Sequence, residues 1–450
     1  MNTPICDFVN RYAESGVVRL HMPGHKGASI LGFEKYDITE IEGADSLYEA
    51  RGIIAESEKN ASELFGCYTY YSTEGSSLAI RAMLCLAARL AAKEGRECFI
   101  AAGRNAHKVF MSSAALLDIK VEWIRGNSES SFLSCAVTAQ DIEMLFKEKA
   151  NISAVYLTSP DYLGSMTDLK EIADVCHKNG ALLLVDNAHG AYRFLRTSRF
   201  PIDLGADICA SSAHKTLPAL TGAAYLHISK NSSPFLSENA KEAMLLFGST
   251  SPSYLILQSL DALNKYLCAG YRERLEAFIK MANDLKRELI DMGYTLCGNE
   301  PLKITVMTKK YGYKGCEMAK TLEERGIVSE FSDPDFLVLM LAPENGKEGL
   351  CCLKKAMENI PKRAEICEKA PRPSEKVSVM SIREAMIAPS VTVSAKDAEG
   401  RILASASASC PPAVPIAVCG ERIDASAVNC FRYYGIDNVR VVEEDSADKL

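Results

Sequence analysis

The sequence predicts an α/β protein: a doubly wound, mainly parallel sheet, followed by a smaller α+β domain and a C-terminal α+β module. Three observations carry this. Between residues 98 and 228, six short apolar runs alternate with stretches of helical periodicity. After Pro252 a long helical stretch keeps Leu275, Phe278, Ile279, Ala282, Leu285 and Leu289 on one face. Past Gly293 the alternation restarts on a smaller scale, and 450 residues are too many for one core.

The strands are expected at residues 98–102, 121–124, 154–158, 182–186, 208–211 and 223–228. Near-continuous apolar runs of this length suit parallel strands covered on both faces. Between two of them, Asp168 and Glu171 have the spacing of a capping box, opening a helix that stops at Asn179-Gly180. Alternation of strand and helix predicts the doubly wound sheet. Beyond it, a strand at 304–307, a helix near 317–324 and a strand at 336–341 give the small α+β domain. Residues 368–376 are charged, carry Pro371 and Pro373, and read as a linker. The expected division is an N-terminal segment 1–44, a large domain 45–255, a linking helix and small domain 256–370, and a C-terminal domain 371–450.

Composition excludes several classes. The net charge is −7, with no Lys/Arg stripe interleaved with aromatics, which argues against a nucleic-acid partner. Residues 1–18 lack the basic start and apolar run of a signal peptide, and no uninterrupted apolar stretch spans a membrane. The sixteen cysteines lie scattered in apolar segments without a C-x-x-C. They are expected to be mostly reduced core thiols in a cytoplasmic protein, with no metal site.

Four clusters carry chemistry. Ser211-Ser212-Ala213-His214-Lys215-Thr216 follows the strand at 208–211. A lysine there lies at the crevice where α/β sheets bind ligands, and its neutral amine can form a Schiff base. The strand at 182–186 ends in Asp186-Asn187-Ala188-His189-Gly190, 29 residues before Lys215. A buried carboxylate needs a cationic or hydrogen-bonding partner, and a protonated ring nitrogen is one. Ala188 is small enough to lie under a flat ring. Ser72-Thr73-Glu74-Gly75-Ser76-Ser77 opens a helix over 78–93, whose N–H groups and dipole suit an anion. Arg104-Asn105-Ala106-His107-Lys108 follows the first strand, and His107 could stack on an aromatic group. Each cluster alone has an ordinary reading: a solvated loop lysine, a structural cap, a serine-rich helix start, a surface histidine. Together those readings are poor, because His21, His25, His107, His189 and His214, of seven histidines, all fall in singled-out motifs.

The chain resembles the ornithine/lysine/arginine decarboxylase family of pyridoxal 5'-phosphate (PLP) enzymes, which have the aspartate-aminotransferase-like fold type I. His21-Met22-Pro23-Gly24-His25-Lys26-Gly27 resembles the family's N-terminal signature, and Ser212-Ala213-His214-Lys215 its cofactor-lysine motif. Residues 37–52, Arg383-Glu384-Ala385 and Gly420-Glu421-Arg422-Ile423 resemble further family segments. Gly248-Ser249-Thr250-Ser251-Pro252-Ser253-Tyr254 resembles one that reaches the phosphate of a partner subunit. Starting directly at the first signature, the chain resembles the short bacterial branch without the N-terminal wing domain.

The resemblance implies that Lys215 holds PLP covalently, Asp186 pairs with the pyridine nitrogen and His107 stacks on the ring. Gly75, Ser76, Ser77, Ser212, His214 and Thr250 would surround the phosphate, with Ala188 and His189 lining the site. It further implies decarboxylation of arginine, lysine or ornithine to an amine and CO2, with His214 or Lys215 returning the proton, in a homodimer or larger homo-oligomer with shared active sites. Asp45 and Glu49 are candidates for the substrate's distal cation. The chain departs from the family at Asn187, where Glu is common, at Glu74, where the phosphate turn is usually uncharged, and across residues 42–48. A carboxylate beside a phosphate is tolerable only if it points away. The alternatives are another PLP reaction on this fold, such as transamination (with Arg422 or Arg383 for the α-carboxylate) or a lyase reaction, and a non-catalytic PLP-binding protein.

Overall fold

The computed structural model describes residues 1–124, 135–149, 151–196, 199–374, 377–409 and 415–443. Its helices and strands up to residue 228 are α1 (Pro4–Glu14), α2 (Ile53–Phe65), β1 (Tyr68–Ser72), α3 (Gly75–Lys93), β2 (Phe99–Gly103), α4 (Lys108–Leu117), β3 (Lys120–Ile124), α5 (Ala139–Glu148), β4 (Ala154–Thr158), α6 (Leu169–Lys178), β5 (Leu182–Asp186), β6 (Ile208–Ser212), α7 (Ala213–Thr216) and β7 (Ala224–Ile228). The six expected strands are present, each end within one residue of its expected place. The chain divides into two compact units. The first is Met1–Cys98, Ser153–Val155 and Leu169–Arg274; the second is Phe99–Ile152, Tyr156–Asp168 and Leu275–Leu450.

In the first unit β5 and β6 pair in parallel, with Leu184 opposite Ile208 and Asp186 opposite Ala210. Strand β7 runs antiparallel to both β6 and β1, which corrects the expectation of a parallel strand there. The reason is the connection: residues 213–223 hold one helical turn, too little for the crossover that a parallel neighbour requires. Strand β1 was not expected at all. Its Tyr-Thr-Tyr-Tyr-Ser sequence has no aliphatic run, yet aromatic and β-branched residues favour strands, and Tyr71 is fully buried against Tyr225. Helix α3 packs on β6 and β7. By length and composition alone it could cross a membrane, but most of it is buried inside this unit. The helical stretch after Pro252 is two helices, Tyr254–Cys268 and Tyr271–Asp291, parted at Gly270, whose φ of +73° ends the first.

In the second unit β2 and β3 pair in parallel. An antiparallel sheet runs in the order Phe331–Ser332, Phe336–Met340, Lys303–Met307, Leu296–Cys297, joined by the helices Gly315–Glu323 and Gly346–Glu358. Toward the C-terminus, Ser390–Ser394 pairs with Asn438–Val442 and Ser407–Ser409 with Pro415–Val418, around a core that includes Leu403, Ile416, Phe431 and Val441. The fifteen described cysteines are free thiols. Only six of them are buried and five are exposed, so the expectation of mostly core thiols is corrected. Cys316, Cys351 and Cys352 lie on outer faces of amphipathic helices, where local apolar density does not mean burial.

Candidate active site

Parallel pairing sets the ends of β5 and β6 side by side. Asp186 closes β5, is 3% exposed, and its Oδ1 accepts the N–H of Ala188 at 3.0 Å. Beside it, Ser211 and Ser212 close β6 and are fully buried. The chain then turns once through α7, which carries Lys215 out of the strand end with its side chain exposed. Lys215 Nζ lies 3.1 Å from Nε2 of buried His189. The two clusters that the sequence placed at neighbouring strand ends are thus in contact.

Asn187 has a structural place. Fully buried, it donates from its backbone to Ala210 O at 2.9 Å and from Nδ2 to Ser211 Oγ at 3.0 Å, tying β5 to β6. The third cluster joins through β7: Ala224 faces both Ser212 of β6 and Ser72 of β1. Gly75 has φ +70°, and a Cβ there would meet His214 Cε1 at 4.0 Å, so the imidazole edge lies beside the start of α3. His214 Nδ1 donates to Ala223 O at 3.0 Å. Gly75 N–H is taken by Gly222 O at 2.7 Å, whereas Ser76 and Ser77 are half-buried at the helix start. The hydroxyls of Ser212 and Thr216 are buried without a hydrogen-bond partner. Thr216, the last residue of the lysine cluster, stands four residues after Ser212 on the single turn of α7.

Glu74 turns toward the 248–254 segment, where Oε1 accepts Ser249 N–H at 2.6 Å. Thr250 is exposed, and Tyr254 donates to Asp45 O at 2.6 Å. Asp45 itself is engaged elsewhere. Its Oδ1 accepts from the N–H groups of Ser46 and Arg51, and its Oδ2 from those of Gly52, Ile54 and Ala55, at 2.8 to 3.4 Å. Burial alone would raise this carboxyl; the backbone donors outweigh it and hold it below its ordinary 3.8. Asp45 is therefore engaged by backbone donors at the start of α2, and Glu49 is exposed. His21 and His25 bond locally, to Tyr12 and Asp37.

His107 belongs to the second unit. It is the N-cap of α4, half-buried, with Nδ1 accepting Val109 N–H at 3.3 Å. Three residues before it, Arg104 forms a bidentate pair with Glu421, at 2.7 and 2.8 Å.

An acid stands at the end of one parallel strand and a lysine just past the end of its neighbour, flanked by a glycine-serine helix start, on a fold of the PLP-enzyme type I class. The chain belongs to the Orn/Lys/Arg decarboxylase family: residues 3–297 match the family described as Orn/Lys/Arg decarboxylase, major domain. It is similar to the arginine decarboxylase of Halalkalibacterium halodurans, 28% identical over 96% of this chain and 93% of that one. It is also similar to the arginine decarboxylase of Bacillus subtilis, at 27% over 94% and 91%. In fold it resembles the constitutive lysine decarboxylase of E. coli, with a TM-score of 0.78 and 16% identity, covering 98% of this chain and 82% of the other. Membership of this family makes the chain a decarboxylase-class enzyme.

Proposed function

We propose that this protein binds PLP at Lys215 and decarboxylates a basic amino acid, with arginine the first substrate to assay. The observation that carries the reading is the contact of Lys215 Nζ with His189, beside Asp186 at the end of the neighbouring strand. The residues present suit the cofactor. Ser212 offers a buried hydroxyl with no other partner, Gly75 leaves room beside His214, and Asp186 places a buried carboxylate at the neighbouring strand end. Arginine comes first because two relatives at 27–28% identity, each matched over more than nine-tenths of both chains, carry that name.

Bound PLP would supply an electron sink for the pair left at Cα as CO2 departs. Each protein group has a task toward it. Lys215 would hold the cofactor through Nζ, and the same amine would be the proton donor to the substrate Cα. His189 orients that amine. His214 is the weaker proton donor, because Nδ1 is committed to Ala223 O. Asp186 would keep a proton on the ring nitrogen, and Ala188 and His107 would be the groups that contact the ring. Ser76, Ser77, Ser212 and His214 hold the phosphate, joined by Thr250 from a second copy of the chain.

A homodimer with shared sites is part of the proposal. It is supported by exposed apolar side chains gathered in two stretches: Val18, Leu20, Met22, Ile30 and Leu31 near the N-terminus, and Leu245 and Leu246 just before Thr250. The division at residues 44, 255 and 370 and a cytoplasmic location, in keeping with exposed free thiols at Cys351 and Cys352, complete it. The test is a product assay on arginine, lysine and ornithine, with borohydride trapping of the cofactor. Amine and CO2 are expected, with the label on the Lys215 peptide. An oxo-acid product would replace decarboxylation by transamination, and a label confined to another lysine would end the reading.

A further inference from the structure

Gly420 and Glu421 follow the strand Pro415–Val418 in a turn with little freedom. Gly420 has φ +88°, a Cβ there would lie 2.3 Å from Met380 O, and its carbonyl accepts the N–H of Val379 at 2.8 Å. The turn fixes Glu421, which is 1% exposed and whose Oε2 also accepts Val418 N–H at 2.9 Å. Against this carboxylate lies the Arg104 guanidinium, with Nη1–Oε1 at 2.7 Å and Nη2–Oε2 at 2.8 Å. Two parallel charge-assisted bonds fix orientation as well as distance. From Arg104 the chain passes through one turn, Ala106 N–H to Gly103 O, into His107 and α4. At the far end of α4, Arg383 donates to the carbonyls of Ala115 and Leu116, at 2.9 and 3.2 Å. The segment carrying His107 is therefore clamped at both ends by residues more than 260 positions downstream.

We propose that the C-terminal segment is a positioning element for His107, acting through the Arg104–Glu421 pair and, at the other end of α4, through Arg383. The link to catalysis rests on the reading that His107 meets the cofactor ring; the anchoring rests on the contacts above. For stability alone, a buried ion pair has no advantage over packed apolar side chains of similar volume. What it adds is direction. Trp123, the only tryptophan in the chain, reports on the clamp: its ring centroid lies 5.9 Å from the Arg104 guanidinium and 5.8 Å from the Phe110 ring of α4.

The experiment compares wild-type holoenzyme with Glu421→Ala and with the double variant Arg104→Met/Glu421→Leu. The double variant leaves no uncompensated buried charge, so it guards against simple unfolding. In both variants, amide exchange over residues 104–110 should quicken about tenfold or more, Trp123 emission should shift, and the visible dichroism of the bound cofactor should change. Turnover should fall by about 10- to 100-fold, the scale of a small misplacement, with KM nearly constant. If the folded double variant matches wild type in exchange and dichroism, the pair supplies stability only and the proposal is overturned. Faster exchange with unchanged dichroism upholds the anchoring and removes His107 from the cofactor, which is a failure of the earlier reading.

Discussion

Replacing Asp45 separates a structural carboxylate from a substrate-binding one. In Asp45→Ala, five backbone N–H groups lose their acceptor, three of them at the start of α2. Loss of an N-cap side chain costs about 1–2 kcal/mol, and loss of a negative charge at a helix N-terminus about 0.3–1 kcal/mol. Water reaches part of this site, so about 2 kcal/mol in all is the working figure. Such a loss corresponds to roughly a 30-fold change in a local opening equilibrium. Hydrogen exchange followed by mass spectrometry should therefore show the first turn of α2 exchanging faster by that factor, with KM for arginine unchanged. Asp45→Asn keeps an acceptor oxygen and should show a smaller effect. The folded carboxyl titrates below its ordinary 3.8, so its stabilisation is fully present above that pH and is lost as pH falls through the lower folded value. Unchanged exchange in Asp45→Ala together with a raised KM would refute the capping argument and return Asp45 to the substrate.

Asp186→Asn should retain PLP, because the phosphate contacts persist, yet lose most turnover as the ring nitrogen loses its proton; near-normal turnover removes Asp186 from its role. Asp333 is pushed up to about 6 by burial, against two short N–H bonds from Asp335 and Phe336. The native state then binds the extra proton, so stability should fall as pH rises from about 3.8 to about 6, by roughly 2–3 kcal/mol. Thermal scans of Asp333→Asn should be flatter across that window, and an unaltered slope would show that Asp333 does not titrate there. Mixing inactive Lys215→Ala with inactive Thr250→Asp under subunit exchange should restore part of the activity, since one site of each mixed dimer escapes both lesions. No recovery despite proven exchange counts against shared sites.

What the sequence made legible follows from the range of each interaction. Strands covered on both faces are apolar nearly throughout, so β2, β4, β5 and β6 announce themselves, whereas β1 is built of tyrosine and threonine and passes for a loop. The direction of β7 is invisible in its composition and follows instead from a connection too short to cross over. The clusters of Asp186 and Lys215 could be paired in advance because one closes β5, the other follows the end of β6, and parallel neighbours share an end. Asp45 could not be placed, because its acceptor role depends on a left-handed backbone at Asp45 itself (φ +72°) and on donors up to ten residues downstream. Arg104 and Glu421, 317 positions apart, lie beyond any local pattern. Buried charges must be compensated, however, so an arginine beside a strand end implies a carboxylate somewhere in the chain. Physical chemistry requires that such a partner exist; only the fold names it. The same reasoning explains why the lysine cluster can be read from one stretch of chain, while the partner of Arg104 lies in a motif 317 positions away whose contact only the fold reveals.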